Sequence, residues 1–175
     1  MKGYFAIGCE GITKPMNVGA LLRTAHAFGA SFCFTVAPVA ETVDFGWSDT
    51  SSAAGTVPLY TYADATAMDL PRGCSLVGIE LMDDSIDLPS FRHPRQAAYV
   101  LGSERGGLSA AMLARCDHVV KIPTRFSLNL SLAGSLVMYD RLISLGRFAA
   151  RPMLPGGPKE ALAPHVHGSI RYGWD

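Results

Sequence analysis

Residues 121–133 read K-I-P-T-R-F-S-L-N-L-S-L-A. The run HVVKIP at 118–123 has the composition of a short buried strand, and Pro123 ends it because proline cannot donate to a strand ladder. Beyond that break, Ser127, Asn129 and Ser131 alternate with leucines immediately ahead of a helix expected over 130–147. Serine and asparagine at a helix start ordinarily cap unpaired amides, so each taken alone reads as a cap. The helix carries Leu130, Leu132, Ala133, Leu136, Val137, Met138, Leu142, Ile143 and Leu145, and is apolar around most of its circumference. Such a helix needs burial on more than one side, inside the fold or against a second subunit. In a chain of 175 residues a homodimer interface is the attractive reading.

Working outward, the same strand-to-helix junction recurs. Short β-type runs stand at 4–10 (YFAIGCE), 31–37 (SFCFTVA), 74–81 (CSLVGIEL) and 97–102 (AAYVLG), with helical spacing between them. Strands that alternate with helices imply an α/β fold: a parallel sheet with helices on both faces. Val18, Leu21, Leu22, Ala25 and Phe28 give the first helix, expected over 18–28, with Asn17 as its N-cap and Gly29 just past its end. At 99–109, Y-V-L-G-S-E-R-G-G-L-S is a buried strand opening into a glycine-rich turn before a helix capped by Ser109. No Gly-Lys-Ser/Thr follows, which excludes a P-loop, and the first strand lacks the G-x-G-x-x-G of a dinucleotide-dependent oxidoreductase. The pattern weakens at 42–56, expected as a loop, then resumes as a short strand VPLYTY and a helix starting after Asp64. Residues 1–150 are expected to form one domain, and the proline- and glycine-containing 151–175 an irregular tail.

Composition narrows the function classes. Cys9, Cys33, Cys74 and Cys116 are dispersed with no C-x-x-C pair, so neither a zinc site nor a disulfide framework is expected; they read as core residues in a reducing compartment. The opening MKGYFAIGCEG has too short an apolar run for a signal peptide or membrane span, so a cytoplasmic protein with no membrane association is expected. Fifteen basic and fifteen acidic side chains cancel to zero net charge, which leaves nucleic-acid binding to a local patch. Lys14, Arg23, Arg105, Lys121 and Arg125 fall in or beside the three junctions at 14–29, 99–109 and 121–133.

Taken together and in order, the segments 17–29, 101–109 and 122–133 resemble the three signature motifs of the SpoU/TrmH family, SPOUT-class RNA 2′-O-ribose methyltransferases. The resemblance covers roughly residues 3–148. It implies a C-terminal deep trefoil knot, the SPOUT fold, against the default rule that chains do not thread loops. It also implies S-adenosylmethionine held by the knotted loops, an active site built at a homodimer interface, and methylation of a ribose 2′-hydroxyl in structured RNA. By motif match, Leu101, Gly102, Gly106, Ile122 and Leu128 contact the cofactor, and Glu80 reaches its ribose. Arg23, Asn17, Glu104, Ser127 and Asn129 form the catalytic set, while Lys14, Arg105 and Arg125 bind RNA; no metal is implied. For Arg23, whose pKa lies above about 12, clamping a phosphate and stabilising the developing oxyanion is preferred to acting as a base. Of the histidines His26, His93, His165 and His167, none is expected to be catalytic. With no appended RNA-binding segment, tRNA is favoured over ribosomal RNA, and an inactive RNA-binding module of the same fold is the alternative. Only Thr124, Arg125 and Phe126 separate Pro123 from Ser127, a shorter loop than family members commonly have.

Overall fold

The computed structural model describes residues 3–38, 57–103, 106–151 and 155–157. The expected loop at 42–56, Glu104, Arg105 and most of the 151–175 tail lie outside them. Among the described residues, β1 (Tyr4–Glu10), β2 (Phe32–Val36), β3 (Leu59–Tyr62), β4 (Ser75–Ile79), β5 (Ile86–Asp87), β6 (Gln96–Leu101) and β7 (His118–Lys121) form one sheet. Their order across it is β3-β2-β1-β6-β4-β7-β5, and every pairing is parallel. Among the described residues, three α-helices accompany the sheet: α1 (Pro15–Ala27), α2 (Ala110–Arg115) and α3 (Leu130–Leu145).

Side chains alternate across the strands as the period of two demands. Phe5, Ile7 and Cys9 of β1 and Ala97, Tyr99 and Leu101 of β6 enter one core with Val18, Leu21 and Leu22 of α1 and Leu130, Val137 and Met138 of α3. Ala6, Ala98 and Val100 enter a second core on the opposite face, with Phe34, Leu108 and Met112 of α2. The expected arrangement of helices on both faces is thus present. Burial pushes the Cys9 and Cys33 thiols up to about 12 and that of Cys116 to about 11, so these are inert packing groups.

Two expectations are corrected. The first helix begins at Pro15, with Lys14 at the N-cap, so Asn17 lies inside its first turn. Proline at the first helical position has its φ already set and lacks only an N–H that would be unpaired there. The far end conforms: Gly29 sits at φ +72° with its N–H on His26 O, and Ala30 N–H bonds Ala25 O, a Schellman closure. No helix follows Asp64; its Oδ1 accepts from Thr66 N, Thr66 Oγ1 and Ala67 N and closes a turn instead. The apolar circumference of α3 is covered on one side only within the chain. Leu130, Gly134, Val137, Met138 and Arg141 face the core, whereas Leu132, Leu136, Tyr139 and Ile143 form an exposed apolar stripe along the other side.

A buried polar network ties α3 to the beginnings of β1 and β6. Arg141 donates to the carbonyls of Tyr4, Pro94 and Arg95 and to Tyr99 OH, and lies over the rings of Phe5 and Tyr99. Because Tyr99 oxygen accepts from Arg141, its hydroxyl proton goes to His93 Nδ1 (2.6 Å), and His93 Nε2 donates to Asp140 Oδ2 (2.9 Å). The network therefore fixes one neutral tautomer. Burial pushes His93 below its ordinary value of 6.5, against the upward pull of Asp140. A folded-state pKa below the unfolded one means that His93 contributes stability above about pH 6.5, lost as pH falls through the folded value. The thermal midpoint should fall between about pH 7 and pH 5, and His93→Gln should flatten that slope; an unchanged slope would show that the sensitivity lies elsewhere.

Candidate functional site: a cleft at the strand carboxyl ends

In a parallel sheet, ligands bind outside the carboxyl ends of the strands. Here the segments leaving β4, β6 and β7 converge there. Ile79 ends β4, with Glu80 and Leu81 after it; Leu101 ends β6, with Gly102 and Ser103 after it; Ile122, Thr124, Ser127 and Leu128 follow β7, and Leu130 and Ala133 of α3 close the wall. The cleft is shallow and open to solvent on one side. Its walls are mainly aliphatic, and Glu80, Ser103, Thr124 and Ser127 supply a few polar groups.

The two sides of the glycine-rich segment are tied to each other. Ser103 and Gly107 exchange two backbone hydrogen bonds (3.1 and 3.0 Å), and Gly106 N–H donates to Ser103 Oγ at 3.1 Å. Gly107 adopts φ +66°, where a side chain is strained. A Cβ on Gly102 would collide with the backbone of Gly107 and Leu108. The returning chain presses directly on the cleft floor, which is why glycine stands at 102. Glu80 Oε2 accepts from Leu108 N at 2.7 Å and Oε1 from Leu81 N at 3.2 Å.

Two further contacts brace the cleft. Glu10, buried at the end of β1, accepts from Ser109 N (2.8 Å) and Ser109 Oγ (2.7 Å), while Ser109 Oγ also caps α2 through Met112 N. Lys121 Nζ donates to the carbonyls of Met82 and Asp83, pinning the segment after Leu81. Neither Glu10 nor this use of Lys121 was legible in the sequence, because the partner groups are backbone atoms of distant segments.

Of the residues singled out by motif match, Glu80, Leu101, Gly102, Ile122, Leu128 and Ser127 all line the cleft. Gly106 stands behind it, against Ser103. Asn129 caps α3 through Ser131 N and donates from Nδ2 to Asn17 Oδ1 (3.2 Å), which brings the first and third segments together. Lys14 stands at the N-cap of α1, one turn from Asn17, and Arg125 is exposed on the loop after β7. Arg23 is exposed on α1, about 9 Å further along the helix than Asn17, and is not among the residues lining this cleft. Glu104 and Arg105 lie outside the described residues. Among those described, no three His, Cys, Asp or Glu side chains gather to hold a metal, and no helix is long and apolar enough to cross a membrane.

The SpoU rRNA Methylase family model matches residues 4–139. The chain is 29% identical over 136 residues to the tRNA (guanosine(18)-2′-O)-methyltransferase of Escherichia coli K12, covering 75% of this chain and 59% of that protein. It is 33% identical over 140 residues to the 23S rRNA (guanosine-2′-O-)-methyltransferase RlmB of Neisseria meningitidis serogroup B, covering 75% and 55%. The chain thus spans little over half the length of these relatives. Its fold matches that of the SpoU methyltransferase AviRb from Streptomyces viridochromogenes in complex with the cofactor AdoMet, with a TM-score of 0.71, 25% identity and coverage of 82% and 61%.

Proposed function

The chain belongs to the SpoU rRNA Methylase family, and on that premise we propose that it transfers the methyl group of S-adenosylmethionine to a ribose 2′-hydroxyl of structured RNA. One observation carries the reading: segments 79–81, 101–103 and 122–133, far apart in sequence, wall a single cleft at the strand carboxyl ends. Its aliphatic walls and backbone edges fit the cofactor's adenine, and Glu80 offers Oε1 to the ribose. S-adenosylmethionine brings a methyl group already activated by its sulfonium. The protein's work is then positioning and charge stabilisation, and good alignment alone contributes about 7–11 kcal/mol.

Ser127, at the cleft wall, and the linked pair Asn129–Asn17 hold the target ribose by hydrogen bonds. Arg23 and Glu104 complete the catalytic set, and Lys14, Arg105 and Arg125 take RNA phosphates. Since Arg23 stands away from the cleft of its own chain, it serves the site in a homodimer, as Arg23 of the partner subunit. The exposed stripe Leu132, Leu136, Tyr139 and Ile143 supports that assembly, because an apolar helix face of this length is ordinarily covered. The fold of the family brings with it a deep trefoil knot, whose threaded part in this chain would be the loop at 122–129 and α3. Residues 1–150 make the catalytic domain and 151–175 a tail, in a cytoplasmic enzyme. Transfer RNA is the preferred substrate and ribosomal RNA the alternative; the relatives include enzymes named for each.

Labelled S-adenosylmethionine with unfractionated tRNA, and separately with ribosomal RNA, tests the reading, with the methylated nucleoside identified by mass spectrometry. A 2′-O-methylated ribose is expected. Arg23→Ala should lower turnover by about 10²–10³-fold with cofactor affinity retained, the loss expected for one oxyanion-stabilising donor. Calorimetry that detects no S-adenosylmethionine binding would overturn the enzyme and leave an RNA-binding module.

A further inference from the structure

Phe126 is 74% exposed, whereas Phe5, Phe34 and Phe91 are at most 9% exposed. A single exposed apolar side chain needs no explanation by itself. Its location does, because Phe126 lies between Thr124 and Ser127, both of which line the cleft, yet is not itself part of the wall. The loop that carries it is short and internally tied. Thr124 N–H donates to Ile122 O at 2.7 Å, and Thr124 Oγ1 lies 2.9 Å from Phe126 O and 3.3 Å from Ile122 O. The Phe126 carbonyl is thus taken up by Thr124, and the exposed ring stands beside two residues of the cleft wall, with exposed Arg125 next to it in the chain.

We propose that Phe126 is a stacking platform for a nucleobase of the RNA substrate, with Arg125 at the adjoining phosphate. The proposal rests on the RNA methyltransferase reading and deepens it by assigning a substrate-recognition residue. To present a ribose to the cleft, the RNA must splay a nucleotide out of its stack, and splayed bases are held on aromatic faces. Phenylalanine offers a π-face and no hydrogen-bonding group, so it binds a base without choosing among the four. The neighbouring guanidinium supplies the phosphate contact that such platforms combine with stacking.

The test measures RNA affinity by fluorescence anisotropy on unfractionated tRNA and on ribosomal RNA, KM and kcat for methylation, cofactor affinity by calorimetry, and oligomeric mass by sedimentation. Phe126→Ala should raise the RNA Kd and KM about tenfold, with cofactor affinity, kcat at saturation and mass unchanged. Phe126→Trp should restore affinity to within about threefold, and Phe126→Leu, apolar but without a π-face, should not. Wild-type affinity in Phe126→Leu, weakened cofactor binding, or a change in mass in the alanine variant would each overturn the platform and leave the methyltransferase reading standing. A wild-type protein that binds neither RNA nor cofactor removes that reading, and the platform with it.

Discussion

Gly102→Ala should weaken S-adenosylmethionine binding by about a hundredfold or more, equivalent to at least about 2.7 kcal/mol. The smallest side chain suffices, because the space a Cβ needs is already filled by the backbone of Gly107 and Leu108. That backbone cannot retreat cheaply. It is pinned by the paired bonds between Ser103 and Gly107, by Leu108 N–H on Glu80, and by Ser109 on buried Glu10. Relief must come from the cleft wall, which Leu101, Gly102 and Ser103 line and where the cofactor is proposed to lie. Overpacking of this kind costs about 1–3 kcal/mol of stability, so the variant should still fold. Gly106→Ala is the matched control: its added Cβ meets only Ser103 Oγ at 3.5 Å, an ordinary contact, and affinity should stay within about threefold. Calorimetry on the two variants decides the matter; equal affinities would mean that the turn does not shape the site.

Arg141→Met should lower the thermal midpoint by roughly 10 °C, from a loss of about 4 kcal/mol. Methionine keeps the apolar stem among Phe5 and Tyr99, so packing is largely conserved and the loss isolates the guanidinium. What goes missing is the donor set for three backbone carbonyls and one phenol, all held at the foot of the sheet. Buried acceptors left without a donor bear their full desolvation penalty. Arg141→Lys should recover less than half of it, since an ammonium cannot spread planar donors over several acceptors or lie flat on the two rings. A midpoint within about 2 °C of wild type, followed by circular dichroism, would show that water replaces the arginine without penalty.

The sequence revealed elements whose cause is local. Runs such as YFAIGCE and AAYVLG are strands because a central parallel strand is apolar on both faces, and Ser109 and Asn129 cap their helices because a short polar side chain can reach its own amides. The resemblance carried the cleft further, identifying six of the residues that line it. Long-range causes were invisible. Ser109 finds Glu10 across 99 residues and Arg141 finds Pro94 across 47, and neither partner advertises itself by periodicity. Asn17 was misplaced because Pro15 opens the helix nearly one turn earlier than the capping pattern implied. The two-residue β5 is too short to show any alternation, and the turn at Asp64 closes on a carboxylate that a helix pattern does not register.

The sheet order bears on how such a chain comes off the ribosome. β1 is an interior strand: Tyr4 pairs with Gln96, and Cys9 with Leu101. One side of β1 therefore waits for about 90 further residues to be synthesised before its backbone partners exist. Parallel pairings between distant segments are slow to form, and unpaired apolar strands invite association while they wait. Nascent chains of this protein should thus be clients of holding chaperones, and its yield on expression should respond to translation speed and temperature more steeply than its final stability alone implies.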